Sequence, residues 1–166
     1  MSTRTILTWP DARLNLVCEP VSEITDDIQV LAADMLETMY DAPGRGLAAP
    51  QVGAMLRIFV MDATWKEGTA DPMVCINPKI TLHSETISTG PEGCLSIPGV
   101  EAEVSRPESV HMVWTDLSGT MREADLTGFS ALCAQHELDH LDGIVTLDRV
   151  DATQRADILA TYKGQS

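Results

Sequence analysis

Positive charge is scarce in this chain. It has 11 Lys and Arg against 25 Asp and Glu, a formal charge of −14 and a pI near 4.4. Nucleic acids and anionic membranes attract proteins through Lys and Arg, so neither is expected as a partner, and the acidity reads as solubility. Long apolar runs are absent too. No stretch approaches the ~18 residues of a membrane helix. The N-terminus, Met1-Ser2-Thr3-Arg4, has no long apolar segment before Trp9-Pro10, so no secretory signal is expected. Cys18, Cys75, Cys94 and Cys133 are widely spaced and form no C-x-x-C pair. They read as reduced cytosolic thiols rather than a disulfide frame, and a cytoplasmic location is expected. Neither an internal repeat nor a low-complexity segment is evident. With 166 residues, 44% of them hydrophobic, residues 1–166 are expected to form a single domain with a proper core.

What the chain does hold is the pentad His136-Glu137-Leu138-Asp139-His140. Imidazoles four residues apart lie on one face of a helix and can reach one divalent metal. Glu137, directly after the first of them, is placed to act as base toward a water activated there. The same letters also occur on solvated, charged helix faces. A third ligand would decide the matter, because catalytic sites usually combine three protein ligands with an open position.

Downstream, Gly143 fits the longer H-E-x-x-H-x-x-G-x-x-H pattern, but Thr146 stands where its last His belongs. From residue 141 to Ser166 there is no His and no Glu. The third ligand therefore comes from upstream, or is one of Asp142, Asp148, Asp151 and Asp157. Cys133 shares the face of His140, but seven rises of about 1.5 Å separate them by roughly 10 Å, too far for one metal. It reads as a core residue. Cys94 lies in Gly90-Pro91-Glu92-Gly93-Cys94-Leu95-Ser96-Ile97-Pro98-Gly99, with turn chemistry on both sides. From the residues alone it could be a ligand or an ordinary buried thiol.

The rest of the chain divides into alternating helical and strand patterns. Thr25-Asp26-Asp27 is a helix start, and Ile28, Leu31, Ala32, Met35 and Met39 follow at helical spacing, with the methionines expected in the core. That helix should stop near Asp41-Ala42-Pro43-Gly44, before a Gly- and Ala-rich loop to Gln51 whose backbone a ligand can approach. Leu56–Met61 reads as a buried strand. Met73–Asn77 and Ile80–His83 read as strand pieces broken by Pro78. Val110–Trp114 and Thr120–Ala124 flank a hairpin turn at Asp116-Leu117-Ser118-Gly119. Thr127 is expected to cap the helix of the pentad, which should end near Gly143. A last helix covers about Ala152–Tyr162. The layout predicts an α+β fold, with antiparallel strands packed around a central metal-bearing helix. His83 and His111 fall in strand-like segments and read as structural or surface residues. Asp139 points away from His136 and reads as a supporting or solvated group rather than a ligand.

Three segments, in order and at matching spacings, resemble the peptide deformylase family: Gly44-Arg45-Gly46-Leu47-Ala48-Ala49-Pro50-Gln51, Glu92-Gly93-Cys94-Leu95-Ser96 and Gln135-His136-Glu137-Leu138-Asp139-His140. Similarity in the flanks runs from about Ile6 to Val150. The resemblance implies that Cys94, His136 and His140 bind the metal, with a water in the fourth position. It makes Glu137 general base and then general acid, and gives the oxyanion to the Gln51 amide and the Leu95 backbone N–H. It also implies that the Gly46 backbone bonds the substrate. The activity implied is removal of the formyl group from N-formyl-methionyl peptides, with release of formate and a free amino terminus. One divalent ion per chain is implied, Fe2+ in cells, with Zn2+ or Ni2+ as alternatives that a thiolate and two imidazoles also suit.

The chain departs from the family's pattern at Arg45, where an aliphatic residue is more usual, at Glu101, where many members carry an Arg near the substrate, and at Asn15, where Arg is common. Arg45 and Glu101 bear on substrate preference, and Glu101 is expected among the substrate-binding residues. They prompt two alternatives: a deformylase-like paralogue acting on another N-acyl group, and an inactive metal-binding protein kept for interaction. The intact set of Glu137, Gln51 and three ligands speaks against the second. Weak or absent ribosome binding is expected, because Arg149, Arg155 and Lys163 after the pentad are matched by Asp142, Asp148, Asp151 and Asp157.

Overall fold

Helix α1 (Asp26–Asp41) begins where the sequence places its cap: the Thr25 hydroxyl accepts from the Ile28 N–H, and Asp26 and Asp27 sit in the first turn at the positive end of the helix dipole. The apolar stripe at Ile28, Leu31, Ala32, Met35 and Met39 is buried as its spacing requires. The computed structural model describes residues 2–164. Within them, strands β1 (Gly46–Ala48), β2 (Ile58–Met61), β3 (Met73–His83), β6 (Ser109–Thr115) and β7 (Met121–Thr127) form one antiparallel sheet in the order β1-β2-β3-β6-β7. Strands β4 (Ile87–Cys94) and β5 (Ile97–Pro107) form a separate antiparallel hairpin. Helix α2 (Gly128–Leu141) carries the pentad and touches β1, β2, β5, β6 and β7, and helix α3 (Ala152–Lys163) packs on β5. The fold is α+β, with the strands arranged around α2 as the layout predicts.

Strand β2 shows why α2 is central. Its side chains alternate between faces, yet all four are buried. Phe59 and Met61 pack with Cys133, Ala134 and Leu141 of α2, whereas Ile58 and Val60 pack with Leu31, Met35 and Met39 of α1. The sheet is thus covered on both sides at this point. A third apolar cluster joins Ile97, Ala102 and Val104 of β5 to Leu14, Leu147 and Ile158, seating the hairpin against α3.

The structure corrects three local expectations. Pro78 does not break the chain into two strands: β3 runs on through a register shift between Ile76 and Lys79. Asn77 adopts φ 50° there, and its side chain binds both the N–H and the C=O of Val21, at 2.8 and 2.9 Å. A bulge of this kind lifts Pro, which has no N–H, out of the ladder. The turn-rich segment around Cys94 is mostly strand, with Pro91 paired to Glu103 and a turn only at Leu95 and Ser96. A two-stranded hairpin has only edges, where Pro and Gly are tolerated. Thr127 occupies the N-cap position of α2 but makes no side-chain capping bond. It is still paired to Ser109 in the β6–β7 ladder, and Gly128, at φ 57°, makes the change of direction into the helix.

Candidate active site

Helix α2 is buried along the pentad because the strands surround it, so its two imidazoles face neighbouring protein. His136 and His140 are 9% and 1% exposed, with ring centroids 5.1 Å apart at an interplanar angle of 70°. The last residue of β4 meets them: Cys94 Sγ lies 3.5 Å from His140 Nε2. The ligand atoms of Cys94, His136 and His140 all lie within 4.8 Å of one another. A thiolate and an imidazole bonded to one tetrahedral ion at about 2.3 and 2.1 Å would stand about 3.6 Å apart, close to the separation seen. The donor set therefore fits a divalent metal. None of the four tail aspartates joins this group, and Cys133 is a core residue whose thiol faces the Arg45 carbonyl at 3.7 Å.

His136 is held from behind, whereas the buried Nδ1 of His140 has no hydrogen-bond partner among the described residues. Glu92 Oε1 lies 3.0 Å from His136 Nδ1, which leaves Nε2 for a ligand. Arg106 grips Glu92 with Nε and Nη2 at 2.7 and 2.9 Å and reaches Asp139 with Nη1 at 2.9 Å. Arg149 closes the chain on Asp139 at 2.7 and 3.0 Å. Burial pushes Glu92 up, but bonds to His136 and Arg106 outweigh it and hold the carboxyl at about 2. Burial also lowers His140, with His136 and Arg106 adding to the effect. At His136 burial acts downward, and Glu137, Cys94 and Glu92 together raise it. Asp139 is thus a supporting group, as its helical phase suggested.

Glu137 projects beside the ligand group, with Oε2 4.0 Å from His136 Nε2. Its Oε1 is buried and has no hydrogen-bond partner among the described residues. Burial lifts this carboxyl to about 7, against the downward pull of His136 and Arg106. A Cβ on Gly46 would come within 2.5 Å of Glu137 Oε2 and 2.9 Å of Cys133 Sγ, so only glycine lets β1 pass this close. The amide of Gln51 is fixed in orientation. Its oxygen accepts from the Ala48 N–H at 2.9 Å, and its Nε2 donates to Ser96 Oγ at 2.9 Å with Cys94 Sγ 3.7 Å away. A cavity of about 740 Å³ opens onto this group, and Gly46, Gln51, Leu95, Glu101, His136 and Glu137 all line it. His83 is exposed and His111 pairs with Asp125 at 2.7 Å on the outer sheet, both away from the site.

Sequence reasoning missed Glu92, Arg106, Arg149 and Ser96. Arg106 had a readable signal: with Ala102 and Val104 it falls on the buried phase of β5, where a charge needs a partner. The partner could not be read, because Glu92 lies across the hairpin and Asp139 lies on α2.

The polypeptide deformylase family model matches residues 3–156. A peptide deformylase of Afipia carboxidovorans is 48% identical over 162 residues, covering 98% of this chain and 95% of the relative. Among solved structures, the peptide deformylase of Ehrlichia chaffeensis in complex with actinonin superposes with a TM-score of 0.93 at 38% identity, covering 100% of this chain and 99% of that one. The enzyme of Legionella pneumophila superposes at 0.92 with 36% identity, over 98% and 95% of the two chains.

Proposed function

This chain belongs to the polypeptide deformylase family, and we propose that Cys94, His136 and His140 hold one divalent metal while Glu137, Gln51 and Leu95 carry out the reaction. The protein is a hydrolase that removes the formyl group from N-formyl-methionyl peptides, releasing formate and a free amino terminus. When bound, the metal supplies a Lewis acid that polarises the formyl oxygen and lowers the pKa of a water. Glu137 takes a proton from the attacking water and delivers it to the departing peptide nitrogen. The Gln51 Nε2–H and the Leu95 backbone N–H donate to the formyl oxygen as negative charge develops on it. Glu92 orients His136, and the Arg106 and Asp139 behind it keep that orientation. The Gly46 backbone bonds the peptide, and Glu101 contacts the chain beyond the formylated residue. The resident ion is Fe2+, with Zn2+ and Ni2+ as forms that the same donors accept. Residues 1–166 act as one catalytic domain, working in the cytoplasm. No described helix is long and apolar enough to cross a membrane.

The observation that most supports this reading is the convergence of one thiol and two imidazoles, within 4.8 Å, beside a buried carboxylate. The test is purification without air, metal analysis, and assay of formyl-Met against acetyl-Met peptides. One ion per chain and formate release from the formyl substrate alone is the expected result. Turnover of acetyl-Met at a comparable rate would favour a different N-acyl specificity, and bound metal without either activity would leave a binding protein.

A further inference from the structure

The cavity wall holds two cations on a chain that has few of them, alongside the exposed carboxylate of Glu101. Arg45 and Lys66 both line the cavity. Arg45 is anchored by its backbone: its C=O accepts from the Asp62 N–H at 2.9 Å. Its guanidinium lies 4.9 Å from the centre of the Phe129 ring on α2, and its Nη2 pairs with Glu67 at 2.9 Å. The Arg45 Nε is buried and finds no acceptor among the described residues. The loop bearing Lys66 and Glu67 is equally fixed. Trp65 donates from its indole N–H to the Gly44 C=O at 2.9 Å and packs edge-on against Tyr40. Asp62, fully buried, takes the N–H groups of Thr64 and Asp71. This is a built wall and not a chance pair of surface cations.

Stacking on Phe129 holds the guanidinium plane in place before any substrate arrives, so little entropy is lost when it binds an anion. Glu67 is a weak competitor, because its side chain is 62% exposed and an ion pair that open to water contributes little. A carboxylate brought in by a peptide can replace it at Nη2. We propose that Arg45, assisted by Lys66, determines specificity, favouring formyl peptides with an acidic side chain on one of the two residues after the formylated one. The inference rests on the deformylase reading and names the substrate class for that site.

The test uses the metal-loaded enzyme and a panel of formyl-Met tripeptides with Asp, Ala or Lys at each of the two following positions. The wild type should show a kcat/KM for Asp peptides about two- to fivefold above the Ala peptide, carried mainly by KM and shrinking as salt rises. Arg45→Met should bring the Asp/Ala ratio to about one. Glu67→Gln, a change at an exposed residue, should widen the ratio by removing the competitor, and it serves if the Arg45 variant does not fold. A wild-type ratio of one, or a ratio unchanged in both variants, would overturn the inference while leaving the deformylase reading intact. No formate from any peptide would overturn that reading, and this inference with it.

Discussion

Two thiols lie near the pentad, and their surroundings set them apart. Cys94 faces His140, whereas Cys133 is packed among Phe59, Met61 and Cys75, and burial raises its thiol pKa well above the usual value. A buried neutral thiol is a poor ligand, since metals bind the thiolate. Cys94→Ala should therefore lose tightly bound metal and Cys133→Ala should keep it, as elemental analysis after dialysis will show. The opposite pattern would remove Cys94 from the ligand set. Glu137→Gln fills the same space but accepts no proton. It should retain metal and lose about 10²–10⁴ in turnover, the usual share of acid–base catalysis; a near wild-type rate on formyl-Met peptides would end the assignment. Gln51→Leu should lower turnover by roughly 2.7–4 kcal/mol with metal content largely kept, if its amide meets the oxyanion. An unchanged rate would exclude it.

Hairpin β4–β5 and helix α2 are joined by charge as well as by packing. Arg106, 4% exposed, is the link between Glu92 and Asp139. Without Arg106, Glu92 keeps only His136 and Asp139 keeps only Arg149, so the loss should approach but not exceed the about 3–5 kcal/mol of a buried charge left with no partner. Arg106→Met should lower the urea midpoint of the metal-loaded protein accordingly, and a midpoint within error of wild type would mean that the network contributes nothing net. The β6–β7 turn allows a pH test far from the metal. Asp116 accepts from Ser118, Arg122 and Thr120, and these bonds hold its pKa below the usual carboxylate range. A carboxyl depressed on folding stabilises above its unfolded pKa of about 3.9, and that contribution is lost as pH falls through the folded value. Asp116→Asn should be less stable than wild type at neutral pH, with the gap narrowing in acid. A gap that stays constant down to pH ~3 would mean that the turn draws nothing from ionised Asp116.

The whole molecule carries a charge of −14, and two of its C-terminal cations are already paired: Arg149 with Asp139 and Arg155 with Asp148. Binding to phosphate-rich RNA draws on Lys and Arg free to release counterions. We expect little co-sedimentation with ribosomes at near-physiological salt, in keeping with a specialised deformylase in its cell. Robust binding that weakens as salt rises would contradict this and mark a housekeeping enzyme.

Periodicity and spacing along the chain were enough for the α1 stripe, the β6–β7 hairpin, the two imidazoles on one helical face and the exclusion of Cys133. These are local facts: a helix repeats every 3.6 residues and a strand every two, whatever surrounds them. The strands flanking Cys94 were hidden by the glycines and prolines that an all-edge hairpin tolerates, and the continuity of β3 was hidden by a bulge at Asn77 and Pro78. The choice of Cys94 as third ligand rested on the resemblance of three short segments, since no local rule separates a ligand thiol from a buried one. Tertiary structure alone decided that Glu92 meets His136, that Arg106 joins the hairpin to α2, and that Arg45 lies on Phe129 in the cavity wall. Each of these pairings spans at least 14 residues of sequence and depends on how the hairpin, the sheet and the central helix pack. That packing is a property of the assembled core, and no single segment carries it.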